Sequence, residues 1–344
     1  MHNKNNTLVL EKIGMNEFKP FPLLTNPMSQ TIIAFYRPPY SDTLKTRKHL
    51  ISLPDDDILV LMENTPSSWK KGDRIVLLVH GLTGSYLSNY NIRLSQLFLN
   101  QGHKVMRLNL RGCGPGLGLA RFPYHAGCSD DTNFILHWIE KSFPNSPMTQ
   151  IGFSLGGNIT LKMLGENPSM PLPDQLDSGI AIAPPVDILN SNLLLSMNKN
   201  KVFDQYFVKQ LLKHAQICHQ HFPELPDLDL PKNLNLYTFN DLYIAPRAGF
   251  ENALDYYTRC SAGPLLNNIK IPTLILHAQD DPFVCVKQYL PCNNPNIDFV
   301  STQAGGHLGW MGLNKVEGKI TPSQWMDELI IQWLKWFESA KTAC

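Results

Sequence analysis

Three residues far apart in the chain have the types and settings needed to cleave an acyl bond: Ser154, Asp281 and His307. Ser154 is the centre of Gly152-Phe153-Ser154-Leu155-Gly156, between an apolar stretch at 148–151 and a run with helical pattern at 157–164. A strand that enters a helix through so tight a turn lifts its central serine clear of the backbone. The flanking glycines leave room for the crowded chain, and the helix start offers unpaired N–H groups. A serine hydroxyl needs a base to take its proton, and that base needs a carboxylate to orient it. In this arrangement the order along the chain is serine, acid, histidine, each just past a strand. Residues 271–278 read as a buried strand ending in Gln279-Asp280-Asp281-Pro282, and 296–301 as a last strand ending in Gly305-Gly306-His307. His307 is therefore the candidate base and Asp281 the candidate orienter. Asp280 competes for the second role; Asp281 is preferred because it immediately precedes Pro282, which fixes the turn. The plainer reading of the two aspartates is a helix cap near Pro282, which suits one of them better than both.

The negative charge that develops on the attacked carbonyl oxygen calls for two preorganised donors, one after the nucleophile and one in the loop after the third strand. The apolar residues 74–79 run directly into His80-Gly81-Leu82-Thr83-Gly84. The backbone N–H groups of Leu82 and Leu155 are the expected oxyanion hole. The alternative for His80-Gly81 is a simple strand-ending turn.

Further segments fall in order along nearly the whole chain: Gln30-Thr31-Ile32, Asn109-Leu110-Arg111-Gly112-Cys113, Tyr124-His125-Ala126-Gly127, Tyr256-Tyr257 with Cys260-Ser261, Asp280-Asp281-Pro282-Phe283, and Gly305-Gly306-His307-Leu308-Gly309. With the serine and His80-Gly81 motifs, they make the chain resemble the YheT-like family of α/β-hydrolases, bacterial relatives of eukaryotic esterases and acylglycerol lipases. The resemblance implies a triad of Ser154, Asp281 and His307, and activity on short- or medium-chain esters or monoacylglycerols. The chain departs from the family at the glycine-rich stretch 112–118, where many relatives have a shorter polar loop ending in arginine. That stretch lacks G-x-G-x-x-G spacing and a directly following helix, so it reads as a flexible rim of the active site and not as a nucleotide loop.

The elements that must position these groups alternate from about residue 74 onward: helix at 90–100, strand at 104–110, helix at 131–143, strand at 178–183. This is the order of an α/β-hydrolase fold, a mostly parallel doubly wound sheet. The alternation breaks between 188 and 268, a segment with helical periodicity and many aromatics, too long for an ordinary connection. It reads as a helical cap inserted after the sixth strand, with some of its aromatics lining an acyl pocket. The expected division is 1–70 for an N-terminal extension and the first strands, 71–187 and 269–344 for the two parts of the core, and 188–268 for the cap. A final helix at 322–337 carries Trp325, Trp333 and Trp336 at spacings suited to packing on the sheet.

A net charge of +1 with 17% charged residues leaves no electrostatic footprint for nucleic acid. Residues 1–20 lack an apolar signal core, no stretch reaches the length of a spanning helix, and no N-terminal membrane anchor like that of the eukaryotic relatives is expected. The expectation is a cytoplasmic protein with at most peripheral membrane contact and a small-molecule ester or lipid as its partner. Seven cysteines without paired spacing point to reduced thiols. His214, Cys218 and His221 share one helical face, but a structural metal site wants four ligands and no complementary pair is visible, so no metal and no cofactor are expected. The reading is a serine hydrolase of carboxylic esters. Its rivals are acyl transfer, thioester or amide cleavage on the same scaffold, and a binding protein that kept the fold.

Overall fold

A computed structural model of the chain describes residues 2–36, 42–166, 170–226, 228–289, 292–316 and 319–342. Helices α1 (His2–Lys12) and α2 (Pro27–Tyr36) come first, followed by the antiparallel strands β1 (Arg47–Ser52) and β2 (Ile58–Asn64). From β3 (Ile75–Val79) strands and helices alternate: α3 (Asn89–Asn100), β4 (Lys104–Asn109), α4 (Ser129–Ser142), β5 (Met148–Phe153), α5 (Leu155–Gly165) and β6 (Leu176–Ile182). Helices α6 (Ile188–Ser196), α7 (Lys201–His221), α8 (Leu236–Phe239), α9 (Ala245–Arg247) and α10 (Ala253–Cys260) then intervene, with a π-helical turn at Asn240–Ile244. Strands β7 (Thr273–Ala278) and β8 (Ile297–Thr302) complete one sheet of eight strands in the order 1-2-4-3-5-6-7-8. Only the β1–β2 and β2–β4 pairs are antiparallel. A small hairpin of β9 (Met311–Val316) and β10 (Lys319–Gln324) leads into α11 (Trp325–Thr342).

A parallel strand covered on both faces reads as an unbroken apolar run, and β3 is buried along its whole length, Ile-Val-Leu-Leu-Val. Its side chains alternate between two layers. Ile75, Leu77 and Val79 join α4, α5 and the inserted helices on one face, while Val76 and Leu78 join α1, α3 and α11 on the other. Helix α11 turns Met326, Leu329, Ile330, Trp333 and Leu334 to that second layer, the three- and four-residue spacing of a core-facing stripe. Arg74 fastens the end of α11 to the sheet: it grips Asp177 with both terminal nitrogens at 2.7 and 2.9 Å and Glu338 at 2.7 Å. Burial lowers the Arg74 pKa, but these carboxylates outweigh it and leave the guanidinium above its ordinary value.

Two parts differ from the sequence expectation. The last helix starts at Trp325 and not at Pro322, because Pro322 belongs to β10, opposite Leu313. Proline suits a helix start and a short hairpin strand equally well, and the aromatic periodicity of α11 does not distinguish them. The polar-looking N-terminus folds as α1, which buries Val9, Leu10 and Ile13 in the layer of α11 and pairs Lys12 with Asp298 at 2.6 Å. No helix among the described residues is long and apolar enough to cross a membrane.

If α1 is part of the core, Leu10→Ala should cost about 2–5 kcal/mol by loss of burial and a residual cavity. Leu8→Ala, at a side chain 60% exposed, should stay within about 0.5 kcal/mol. Urea denaturation of both variants checks this, and equal midpoints would show that the α1 face carries no packing energy.

Candidate active site

Ser154 sits between β5 and α5 with φ 50° and ψ −118°, a region that L-residues seldom occupy. Its neighbours show why only glycine fits the surrounding positions. A Cβ on residue 152 would lie 2.1 Å from the Gly156 carbonyl oxygen, and one on residue 156 would lie 2.4 Å from that of Val79. The Ser154 amide donates to Ile182 O at 2.8 Å and its carbonyl accepts from Asn158 N at 3.1 Å, which locks the turn between β6 and α5.

His307 reaches this serine from the loop after β8. Gly305 at φ 149° and Gly306 at φ 57° coil the chain there, and the Gly306 amide donates to Asp280 Oδ1 at 2.9 Å. The His307 amide donates to Thr31 Oγ1 at 2.9 Å, and Thr31 in turn donates to Pro27 O, so helix α2 clamps the loop. Phe35 stacks on the imidazole and Phe283 packs beside it, with ring centroids 6.3 and 5.0 Å away. The ring's Nε2 lies 2.8 Å from Ser154 Oγ and its Nδ1 lies 2.7 Å from Asp281 Oδ2. A carboxylate can only accept, so Nδ1 carries the proton and Nε2 is left to accept from the serine hydroxyl. The second oxygen of Asp281 accepts from the amides of Phe283 and Val284 at 2.8 and 3.0 Å. Thus Asp281 contacts the histidine ring, whereas Asp280 ties down the histidine's loop. His277, wholly buried beside them on β7, is pushed down to about 4 by burial and is neutral.

The loop after β3 meets the same space. His80 is fully buried and pushed down to about 4 by burial; its Nδ1 donates to Gly81 O at 2.7 Å, and its Nε2 accepts from Leu110 N at 3.1 Å. The Gly81 amide donates to the Tyr90 hydroxyl at 3.0 Å and the Thr83 amide to the Tyr124 hydroxyl at 2.9 Å. Between these two occupied N–H groups, that of Leu82 has no acceptor among the described residues, and neither has that of Leu155 at the start of α5. Both residues line one cavity with Ser154 and His307. Its volume, counted with its open mouth, is about 720 Å³, and its far wall comes from the inserted helices through Ile188, Leu195, Phe207 and Leu236, with Ser191, Asn192 and Asn240 as polar exceptions. A second opening of about 840 Å³, bordered by Phe35, Leu87, Asn89 and Tyr206, reaches Ser154 from the other flank.

The glycine-rich loop does not sit where a rim would. Gly112, Leu117 and Gly118 border a separate cavity, and only Tyr124 and His125 beyond them reach the cavity of Ser154. His214 and Cys218 border the former too; Cys218 Sγ donates to the carbonyls of Ala120 and Arg121, and His221 Nδ1 donates to Ile217 O within its own helix. Among the described residues no three His, Cys, Asp or Glu side chains are grouped to hold a metal ion. Cys113 and Cys128 are buried, and burial pushes both thiols up, so they stay protonated.

Sequence reasoning missed the supporting groups. Thr31 lies in a segment the family resemblance marks, but nothing in the sequence connects it to His307, 276 positions away. Asn158 follows the serine motif and bridges Ala126 O, Cys260 O and Ala262 N from a fully buried position. Tyr90 carries no sequence signal beyond an aromatic in the first turn of α3.

A family model described as the alpha/beta hydrolase fold matches residues 74–311. The chain is 29% identical over 300 residues to the protein named putative esterase YheT of Escherichia coli, which covers 85% of each. It is 26% identical over 287 residues to the monoacylglycerol lipase of Saccharomyces cerevisiae, covering 80% of this chain and 61% of that one. It is also 26% identical over 242 residues to phospholipase ABHD3 of Homo sapiens, covering 69% and 58%. The chain thus spans about three fifths of these last two relatives. Among solved structures, Est1E of Butyrivibrio proteoclasticus superposes with a TM-score of 0.54 at 12% identity over 86% of this chain and 99% of that one. The esterase Pf2001 of Pyrococcus furiosus gives 0.52 at 17% identity over 93% and 97%. These two likenesses show a shared fold.

The close approaches at the serine turn separate two neighbouring glycines. Gly156→Ala forces a Cβ to 2.4 and 2.6 Å from backbone oxygens and should prevent folding or cost several kcal/mol, whereas at Gly157 a Pro184 carbon and two backbone oxygens would lie 3.1, 3.2 and 3.4 Å away. Gly157→Ala should therefore cost about 1 kcal/mol or gain helix propensity. Thermal melts of the two variants check the difference, and equal tolerance would mean that the turn has room to spare.

Proposed function

The chain belongs to the α/β hydrolase fold family, and from that premise we propose that it hydrolyses carboxylic esters through an acyl-enzyme. The observation that carries this reading is the line of hydrogen bonds from Ser154 Oγ to His307 Nε2 and from His307 Nδ1 to Asp281, opening into an apolar cavity beside two unpaired backbone N–H groups. Ser154 Oγ attacks the carbonyl carbon while its proton passes to His307 Nε2. Asp281 holds the tautomer and stabilises the imidazolium. The N–H groups of Leu82 and Leu155 take the oxyanion, and Tyr90 and Tyr124 aim the first of them by anchoring the amides on either side. Collapse of the tetrahedral intermediate expels the alcohol, which takes the proton from Nε2. Water then repeats the sequence and frees the acid.

The substrate class is short- or medium-chain esters or monoacylglycerols, in keeping with the names of the esterase and lipase relatives. Residues 188–268 form the cap that selects the acyl group, and the opening on the Phe35 flank receives the alcohol. A mostly apolar pocket with few polar groups suits an acyl chain.

Ser154→Ala should lower ester hydrolysis by about 10⁴-fold or more and abolish labelling by a fluorophosphonate while the fold stays intact. A variant that keeps turning over near the parental rate would exclude the mechanism.

The two aspartates give a second test. Asp281→Asn should cost about 10⁴-fold in kcat by imposing the wrong tautomer on His307. Asp280→Asn, which keeps an oxygen for the Gly306 amide, should cost roughly tenfold or less. The reverse order would move the orienting role to Asp280.

A further inference from the structure

We propose that the cavity between the glycine-rich loop and α7 is a second chamber of the substrate site, one that takes the far end of a long, unbranched acyl chain. This inference rests on the ester-hydrolase reading and, within its substrate class, favours long-chain monoacylglycerols over short-chain esters. The chamber, counted with its opening to solvent, has a volume of about 450 Å³ and shares Tyr124, Leu211 and Ile244 with the cavity that holds Ser154. Those three residues line both spaces, and on this proposal a chain seated at Ser154 and extended past Leu211 enters the second.

The walls are fixed and uncharged in effect. The π-helical turn places Asn240 and Ile244 on the first cavity and Tyr243 and Ile244 on the second, so one irregular turn faces both. Opposite it, the loop is pinned by Asp57, which accepts from the amides of Arg121 and Phe122 at 2.7 and 3.0 Å. Gly118, at φ 75°, lies so close to α7 that a Cβ would come within 2.5 Å of the His221 ring. Arg111 is the charged side chain of the lining, and it is spent on a two-pronged contact with Asp131 and on Asp55 and Asp57. Burial holds His214 below its ordinary pKa and Cys218 above its own, so both stay neutral. Among the lining side chains a ligand carboxylate or phosphate would find no free cation, and Arg247, outside the lining, lies over the Tyr243 ring and donates to Arg121 O; methylene groups would find Leu117, Ala215, Phe239 and Tyr243.

The test compares kcat/KM for p-nitrophenyl butanoate and hexadecanoate in the parent, Ala215→Trp and Leu117→Trp. Ala215 and Leu117 border the second chamber and not the cavity of Ser154. Filling the chamber should leave the butanoate value within about twofold and lower the hexadecanoate-to-butanoate ratio at least tenfold, since each methylene denied an apolar wall costs about fourfold. An unchanged ratio in folded variants, with butanoate still hydrolysed, overturns the second chamber and leaves the ester-hydrolase reading standing. A folded parent that hydrolyses neither ester overturns both. A crystal structure of the parent labelled with a hexadecyl fluorophosphonate needs no variant to fold: the alkyl chain should pass Leu211 into the chamber, and a chain lying along Phe35 and Tyr206 would refute the proposal.

Discussion

The tight turn at Ser154 is the constraint on which the rest of the site depends. Its backbone sits in a region of low population, and such conformations, costing about 1–3 kcal/mol, persist only where the surroundings over-determine them. Here the surroundings are β6, which accepts the Ser154 amide, and β3, whose last carbonyl oxygens crowd Gly156. The turn therefore forms only on a sheet in which β3, β5 and β6 already lie side by side. In return it points the start of α5 and the Leu155 amide at the cavity. The serine's position is thus a property of three strands together.

The distance between the serine and its partners has the same origin. Ser154 stands at the end of β5, Asp281 follows β7 and His307 follows β8, while β6 lies between β5 and β7. Two strand spacings separate β7 from β5 and three separate β8 from it, about 10 and 15 Å, so Asp281 and His307 must lean back across β6 to meet Ser154. The chain clears that path by leaving β6 through Ala183 at φ 47° and Pro184. Two tethers hold the reach of His307, Asp280 on the Gly306 amide and Thr31 on the His307 amide. Adjacent aspartates serve the same histidine by different routes, one through its ring and one through its backbone.

The sheet was legible because β3 and β7 are largely apolar runs and because β3, β5, β7 and β8 each lead into a loop of the site marked by glycine, serine or aspartate. The helices of the insertion announced themselves by length and aromatic periodicity. What could not be read are contacts between segments remote in sequence. Residues 2–12 hold too few apolar positions to suggest a core helix; Val9, Leu10 and Ile13 become buried only because α11 and β8 present a matching surface. The placement of Thr31 under His307 depends on α2 crossing the end of the sheet, and the acceptor roles of Tyr90 and Tyr124 depend on the path of the loop after β3. The glycine-rich stretch misled for a related reason: its composition suggests freedom, whereas Asp57 and Arg111, placed by the hairpin of β1 and β2 and by β4, fix it as a wall.

The inserted helices are attached to the core at polar points that also support the site. Asn200 of the insertion donates to Pro282 O, one residue past Asp281. Asn158, one turn beyond Ser154, joins Cys260 and Ala262 at the end of the insertion to Ala126, whose amide donates to the Tyr256 hydroxyl. A buried amide left without one of these partners would bear a desolvation penalty of about 1–3 kcal/mol, so the insertion cannot shift freely against α5. The insertion that lines the cavity is thereby joined by hydrogen bonds to the segments that carry Ser154 and Asp281. Asn158 thus ties the end of α10 to the helix that follows Ser154, and Asn200 ties Leu194 of α6 to the backbone beside Asp281.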